Sequence, residues 1–520
     1  MSARTTWSFV CELDDCLPDT GVCVDLDGRQ IAVFRVDGHV YALDNRDPAS
    51  GANVLARGIV GDIGGEMVIA SPIYKHHFNL ATGRCLEDPR HSVATYPTRV
   101  IEGRVWLRPD PYKPQRSTAK RRLVVIGNGM AGMRTVEQLL HVAPEAYQID
   151  VFGAEPHGNY NRIMLSPVLA GEKRVDEIIL HAPEWYREHG VELHAGDPIV
   201  SVQRRQRRVS SRAGVELDYD RLLLATGSAP IVLPVPGCEL PGIVTFRDLG
   251  DVDVMLEAAR RARRAVVIGG GLLGLEAANG LLRRGMDVTV VHLPETLMEC
   301  QLDPPAARLL QAELERRGLK FRMSAKTNAI TGDARVQAVE LADGTQIAAD
   351  LVVMAVGVRP NIELAQSMGL RCERGVLVDD TMLTYDPSIY AVGECVQHRD
   401  STFGLVAPLY EQAWVCARHL AEVGLARYKG SLYSTQLRVT GINVFSAGDF
   451  RDTPHSESLI FTDSRRGVYK RLVIENDQVC GAVLYGDTRD APWYIELMSE
   501  RRNIGALRDR LLFGAPAARQ

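Results

Sequence analysis

Two hydrophobic rhythms follow one another along this chain. Up to about residue 110, apolar and polar positions alternate in short runs such as Ile31–Asp37 and His39–Asp44, punctuated by Asp-Gly pairs at 27–28 and 37–38. Period-two alternation with such turn dipeptides predicts hairpins in a small all-β unit. From residue 122 the rhythm changes to unbroken apolar runs, each followed by a stretch with helical spacing. Leu123–Ile126, Met130–His141 and Ile149–Phe152 predict one β-α-β unit, and Ala265–Ile268, Leu272–Arg284 and Val288–Val291 a second. This alternation argues for parallel sheets in two doubly wound α/β domains. Beyond Ser401, Tyr469–Glu475 and Val479–Gly486 flank Asn476-Asp477 and predict a hairpin, and a helix is predicted over Trp493–Leu512. Together they describe a small α+β cap domain.

Each β-α-β unit carries the same glycine spacing at its strand-to-helix turn. The first has Gly127, Gly129 and Gly132, and the second Gly269, Gly271 and Gly274. A lone G-x-G-x-x-G is weak evidence. Placed between a strand and a helix, it marks a turn whose free N–H groups and helix dipole meet a pyrophosphate. Two such turns on one chain suggest a flavin exchanging electrons with a nicotinamide. The domain boundaries expected on this reading are 1–110, a Pro-rich polar linker over 111–121, an FAD-binding domain over 122–234 and 357–400, an NAD(P)H-binding domain over 235–356, and the cap over 401–520.

Composition changes this picture little. Of the 520 residues, 46% are hydrophobic and 24% charged, with net charge −5, which gives no case for nucleic acid or an anionic membrane surface. The N-terminal residues lack an apolar signal core, and the most apolar long window, Ala265–Leu282, is the second fingerprint, so a cytoplasmic location without a membrane span is expected. Ten cysteines form no C-x-x-C pair. Cys11 and Cys16 have the spacing of a redox pair but precede the fingerprint by too far, and they read as unrelated, with a disulfide as the alternative.

Three further strand ends complete the pattern: Leu222–Ser228 with Pro230, Val352–Asn361, and Ser388–Glu394. In this order around the fingerprints, residues 122 to about 425 resemble the two-dinucleotide flavoprotein reductases. The resemblance implies that Gly127, Gly129 and Gly132, with Met130 and Ala131, seat the FAD pyrophosphate. Glu155 would hold the adenosine ribose and Arg162 the FAD phosphates or ribose. Thr226 and Gly227 would line the FAD site at the domain crossing, and Gly393 and Glu394 the ribityl chain. Gly269, Gly271 and Gly274, with Leu272 and Leu273, would hold NAD(P)H, with Gly357 repeating the turn of Gly227. Glu276 is the catalytic candidate beside the nicotinamide–flavin stack; the alternative is a helix-surface charge. His292 and Glu295, about 20 positions past Gly274, leave the choice of nicotinamide open with a lean to NADH.

In Asn159–Gly171 no cysteine stands where disulfide-reducing relatives carry a pair, so electrons are expected to leave the flavin directly. Pro167 follows Leu165-Ser166 where ferredoxin-reductase-type relatives often place a lysine near the flavin. The N-terminal unit resembles a Rieske-type domain, which needs C-x-H and C-x-x-H ligands. Asn45-Arg46-Asp47 and Ser71-Pro72-Ile73-Tyr74 stand there instead, so neither an iron–sulfur cluster nor another metal site is expected.

Ala42–Asp62 and Ala70–Pro89 resemble the small subunit of assimilatory NAD(P)H nitrite reductases, and Asn159–Glu172 and Val290–Asp303 the flavin-bearing part of the large subunit. That subunit continues into a Cys-rich [2Fe–2S] segment and a sirohaem domain, so this chain is not expected to reduce nitrite alone. The resemblance implies an FAD-dependent NAD(P)H reductase serving a separate sirohaem nitrite reductase or molybdenum nitrate reductase, and it leaves a homodimer open. The alternatives are a general ferredoxin- or rubredoxin-type reductase with a structural Rieske-like domain, and a non-catalytic regulatory flavoprotein.

Overall fold

The computed structural model describes residues 7–63, 66–112, 120–422, 426–431, 434–439 and 441–515. Most of the linker expected at 111–121 lies outside them. The chain divides into two compact units, one of residues 1–159, 181–227 and 360–429, the other of residues 160–180, 228–359 and 430–520.

In the first unit, the Asp-Gly pairs make the turns that the sequence predicts. Strands Gly21–Leu26, Arg29–Val36 and His39–Asp44 pair antiparallel, and Asp27, Gly28, Asp37 and Gly38 all take positive φ, the conformation of two-residue hairpin turns. Two further three-stranded sheets complete the all-β part. Its core is Ile31, Val33, Val105 and Leu107 on one side of the central strand and Phe34, Leu43, Ile69 and Phe78 on the other. The two thiols of Cys11 and Cys16, read as unrelated, are neighbours: their sulfurs lie 3.6 Å apart, both buried. A strand end and a one-turn helix bring them together, which spacing alone does not show.

The same unit holds a five-stranded parallel sheet in the order Val191–Ala195, Tyr147–Gly153, Arg121–Ile126, Arg221–Leu224, Ile389–Ala391. The second unit repeats it: Ile243–Val244, Leu351–Met354, Arg264–Ile268, Asp287–Val291, Lys320–Arg322. In each, the fingerprint strand sits at the centre, buried on both faces, as its unbroken apolar run requires. The long helix Val406–Leu420 packs against the fingerprint helix Met130–Val142 of the first unit.

The C-terminal part of the second unit is a five-stranded antiparallel sheet with the helix Ala491–Ser499 on it. Val468–Glu475 and Gln478–Tyr485 form the predicted hairpin, with Asn476 and Asp477 both at positive φ. The helix predicted over 493–512 is two pieces. Arg501 takes φ 49° after Ser499, and a 3-10 turn follows over Gly505–Phe513, with the Asn503 side chain accepting the Gly505 N–H at 2.9 Å.

Candidate dinucleotide sites

The three glycines of each fingerprint do three different jobs, and the geometry separates them. A Cβ on Gly127 would stand 2.0 Å from the Ala225 carbonyl oxygen, and one on Gly132 would stand 2.6 Å from the Gly127 oxygen. The first glycine makes the tight turn, at φ 119°, and the third lets the helix lie close on the strand. A Cβ on Gly129 would meet nothing within 4 Å. That open space lies at the N-cap of the helix Met130–Val142, where free N–H groups await an anion.

The second fingerprint is a near copy. A Cβ on Gly269 would stand 2.2 Å from the Ala355 oxygen and one on Gly274 would stand 2.0 Å from the Gly269 oxygen, while Gly271, the N-cap of Leu272–Arg283, faces open space. Both turns therefore fit a dinucleotide pyrophosphate. Of the helix-opening residues, Ala131 is buried and Leu273 is exposed.

A polar network that spacing does not reveal braces the first turn. Asn128 accepts the Tyr186 hydroxyl at 2.7 Å through its side chain and the Asn159 amide at 2.9 Å through its carbonyl. Asn159 in turn meets His181, whose other ring nitrogen lies 2.7 Å from Glu137. At the crossing, Thr226 donates its hydroxyl to the Asn361 carbonyl at 2.8 Å, and the Asn361 amide returns a bond to the Thr226 carbonyl at 2.8 Å. The N–H of Asn361 also reaches the Gly227 oxygen. Gly393, at φ 93°, donates its N–H to the fully buried Gln412 at 2.9 Å, which sets the backbone leading into Glu394. Glu155 follows the second strand of this sheet, and its carbonyl accepts the Gly196 N–H.

In the second unit His292 is committed to structure. Its Nδ1 accepts the Gly270 N–H at 2.9 Å, bracing the fingerprint turn, while Nε2 lies 3.1 Å from Glu299. Glu295 lines a separate cavity with Arg308, Gln311 and Glu315. Arg162 donates to the Arg247 carbonyl at 2.7 Å and lies over the Tyr160 ring. Gly357, at φ 116°, accepts the Ile231 N–H.

Glu276, in the second turn of the helix Leu272–Arg283, receives the Ser166 hydroxyl at 2.5 Å. Burial pushes its carboxyl up to about 7, against the opposing pull of that hydrogen bond. Pro167, not a lysine, follows Ser166, and the hydrogen-bond partner of the carboxyl is the neutral Ser166 hydroxyl. Glu276 is half-buried, one turn along the helix from the open seat at Gly271.

In the all-β part, the two loops near 45 and 71 converge. Asp47 accepts the Ser71 hydroxyl at 2.5 Å, and Asn45 accepts the Ala56 N–H at 2.8 Å. Close by, His76 and His91 approach Glu422 at 3.1 and 2.9 Å. These three groups cluster as metal ligands do. Cations already sit there: Arg121 meets Glu422 at 2.7 Å, and Arg221 lies 2.9 Å from the His76 ring nitrogen.

Comparison with known proteins fits this geometry. Residues 121–421 match the family described as pyridine nucleotide-disulphide oxidoreductase, residues 6–108 the Rieske-like [2Fe-2S] domain, and residues 434–502 the rubredoxin NAD+ reductase C-terminal domain. The nitrite reductase [NAD(P)H] of Bacillus subtilis is 48% identical over 74% of this chain and 48% of its own length. The assimilatory nitrate reductase electron transfer subunit of the same organism is 43% identical over 76% of this chain and 51% of its own. The chain thus spans about half the length of these relatives. Among solved structures, the putidaredoxin reductase–putidaredoxin complex shares the fold, with TM-score 0.68 and 24% identity over 74% of this chain and 94% of that one.

The Rieske-like match corrects one expectation. A family described by its [2Fe-2S] centre covers residues 6–108, so the statement that no iron–sulfur cluster belongs to this chain does not stand. At the four positions compared, the side chains are Asn45, Asp47, Ser71 and Tyr74, which supply neither the thiolates nor the imidazoles of a Rieske centre. No electron-transfer step is therefore routed through them.

Proposed function

The chain belongs to the pyridine nucleotide-disulphide oxidoreductase family, and on that premise we propose that it is the electron-input component of a nitrite- or nitrate-reducing system. Bound FAD would accept two electrons as hydride from NAD(P)H and release them singly to a separate metalloprotein. The observation that carries this reading is the pair of open glycine seats, at Gly129 and Gly271, on two matching parallel sheets. One takes the flavin dinucleotide and the other the nicotinamide dinucleotide.

The remaining chain residues work by holding and orienting. Gly127, Gly129, Met130, Ala131 and Gly132 present backbone to the FAD pyrophosphate, Glu155 and Arg162 serve its adenosine side, and Thr226, Gly227, Gly393 and Glu394 line its ribityl side. Gly269, Gly271, Leu272, Leu273, Gly274 and Gly357 do the same for the nicotinamide, with Glu276 at the reacting end. The likeness to an electron transfer subunit of nitrate assimilation supports a nitrite or nitrate reductase as the acceptor. No described helix is long and apolar enough to cross a membrane, which supports a cytoplasmic setting.

Anaerobic titration with NADH and with NADPH, followed at the flavin absorbance, tests the input step. Adding a sirohaem nitrite reductase or a molybdenum nitrate reductase to the reduced protein tests the output. The rubredoxin-reductase-type C-terminal domain favours a second reading, a general reductase of small iron–sulfur proteins. Fast reduction of rubredoxin or ferredoxin, with nothing passed to either nitrogen-oxide reductase, would select it.

A further inference from the structure

We propose that Cys11 and Cys16 are a redox-active dithiol, a site at which a small-molecule disulfide oxidises the two thiols to one disulfide and so ties the edge strand of the all-β part to its core. The site lies in the all-β part and owes nothing to the dinucleotide seats.

One extra residue in a strand puts Cys11 in the core. The strand Ser8–Glu12 pairs antiparallel with Arg104–Leu107, Phe9 opposite Trp106 and Cys11 opposite Val105, and the register shifts between these two pairs. On a regular strand positions 9 and 11 share a face. The bulge separates them: Phe9 is 48% exposed, whereas Cys11 joins the core of Val24, Ile31 and Leu107. The chain then turns at once through the one-turn helix Leu13–Asp15. There the Glu12 N–H donates to the Asp15 carboxylate at 3.1 Å, the Leu13 N–H to the Gly103 carbonyl at 2.7 Å and the Cys16 N–H to the Leu13 carbonyl at 3.1 Å. That turn returns Cys16 to the same core, its sulfur 3.6 Å from that of Cys11.

The sulfurs are already in contact, each the other's hydrogen-bond partner. A disulfide holds its sulfurs at about 2.0 Å, so these two must close by about 1.6 Å, a movement that torsions about the two Cα–Cβ bonds supply. Access separates their roles. Cys16 is fully buried, while Cys11 is 8% exposed, on a strand that lies at the edge of its three-stranded sheet. Burial pushes the Cys11 thiol up to about 12, so the closed strand protects it, and local opening of the edge strand admits the oxidant. Cys11 is therefore the attacking thiol and Cys16 the resolving one.

The chemistry is thiol–disulfide exchange. The Cys11 thiolate attacks one sulfur of the small-molecule disulfide, that S–S bond breaks, and the first small thiolate leaves and takes up a proton. The Cys16 thiolate then attacks the Cys11 sulfur of the mixed disulfide, and the second small thiol leaves in the same way. Two electrons pass to the small molecule, whose two thiols carry away the two cysteine protons. The bridge that forms fastens the edge strand to the turn held at Gly103.

The test is a redox titration of the full-length protein in glutathione buffers of rising oxidised fraction, quenched by alkylation and mapped by mass spectrometry, with folding monitored by thermal unfolding. Cys11 and Cys16 should lose alkylation together, and the peptide carrying them should be about 2 Da lighter than its dithiol form. Cys16→Ser should stop the reaction at glutathione on Cys11, whereas Cys11→Ser should leave Cys16 a free thiol. Cys23→Ser, which removes the exposed cysteine of the strand Gly21–Leu26, should leave the pairing unchanged. Where a serine in the core prevents folding, the map of the unsubstituted protein decides alone. Free thiols at both positions at every buffer ratio, glutathione that persists on Cys11 of the unsubstituted protein, or a bridge from either residue to another cysteine overturns the proposal.

Discussion

Glu422 lies just past the end of the helix Val406–Leu420 with φ 57°, and in that left-handed position its carboxylate meets the Arg121 guanidinium at 2.7 Å. Glycine is the usual residue at such a helix end, and a side chain there costs about 1–2 kcal/mol of backbone strain. The charge network offsets that strain. Glu422, 6% exposed, also takes His76 and His91 from the all-β part, and Arg121 adds Asp88 at 3.4 Å. Within the first unit this is the polar join between the all-β part and the parallel sheet.

Replacing Glu422 should therefore destabilise the protein even where the backbone gains. Glu422→Gly relieves the strain but leaves Arg121 and Arg221 buried without their carboxylate, and Glu422→Gln leaves the same two cations. Each should cost about 3 kcal/mol, as expected when one member of a buried ion network is removed, measurable as a lower calorimetric unfolding temperature of the first unit.

The same carboxylate predicts an acid limit. Burial pushes the Glu422 carboxyl up, but hydrogen bonds from His76 and His91 and the nearby Arg121 charge outweigh it and hold it well below its ordinary 4.5. A depressed folded value means that stabilisation is fully present above 4.5 and is lost as pH falls through the folded value. Denaturation midpoints followed from pH 6 to pH 3 should fall more steeply for the unsubstituted protein than for E422Q. Parallel curves would refute the assignment.

The glycine seats predict a separation of folding from binding. Gly127→Ala and Gly269→Ala force a Cβ to within 2.2 Å or less of a carbonyl oxygen at φ 119°, and should fail to give soluble protein. Gly129→Ala and Gly271→Ala put the Cβ into open space and should fold normally. The first should lose FAD and keep nucleotide binding, and the second the reverse. Each affinity should drop at least tenfold, about 1.4 kcal/mol. Flavin absorbance and NADH binding by calorimetry read the two losses independently.

What the sequence discloses here is what lies close in the chain. The Asp-Gly hairpins, both fingerprints and the strand-end turns at Thr226 and Gly393 are local patterns in which backbone conformation dictates residue type. Convergence of distant side chains leaves no such mark. Cys11 and Cys16 meet because a strand end curls back, Ser166 reaches Glu276 from a different element, and Glu422 collects partners from residues 76 to 221. His292 sits where a ribose contact is sought, yet it is turned inward to Gly270, a choice decided by packing. The break at Arg501 is made by an arginine in the left-handed region, a position that no glycine or proline marks in the sequence.

Gln412 supplies a prediction for the proposed flavin seat. It is fully buried, and its side-chain oxygen takes the Gly393 N–H. Gln412→Met keeps the volume but leaves that N–H unmatched, a cost of about 1–3 kcal/mol. Because Gly393 leads into Glu394, the variant should retain less FAD after gel filtration while its NADH affinity stays unchanged.

In the second unit, Asp303 ties the C-terminal antiparallel sheet to the helix Pro304–Arg316 of the parallel-sheet part. It N-caps the helix Pro304–Arg316, and the same side chain accepts the Tyr469 hydroxyl at 2.5 Å and Arg471 at 3.2 Å. Asp303→Asn keeps an oxygen for the N-cap, so its loss should be confined to the charge shared with Arg471. Arg471 retains Asp452, which bounds the penalty to about 1–2 kcal/mol. Tyr469→Phe removes one buried hydroxyl and should cost about 1 kcal/mol. If the two side chains act through one hydrogen bond, the double variant should cost less than the sum of the singles. Additive losses in urea denaturation would show that the Asp303 charge and the Tyr469 hydroxyl stabilise the fold independently.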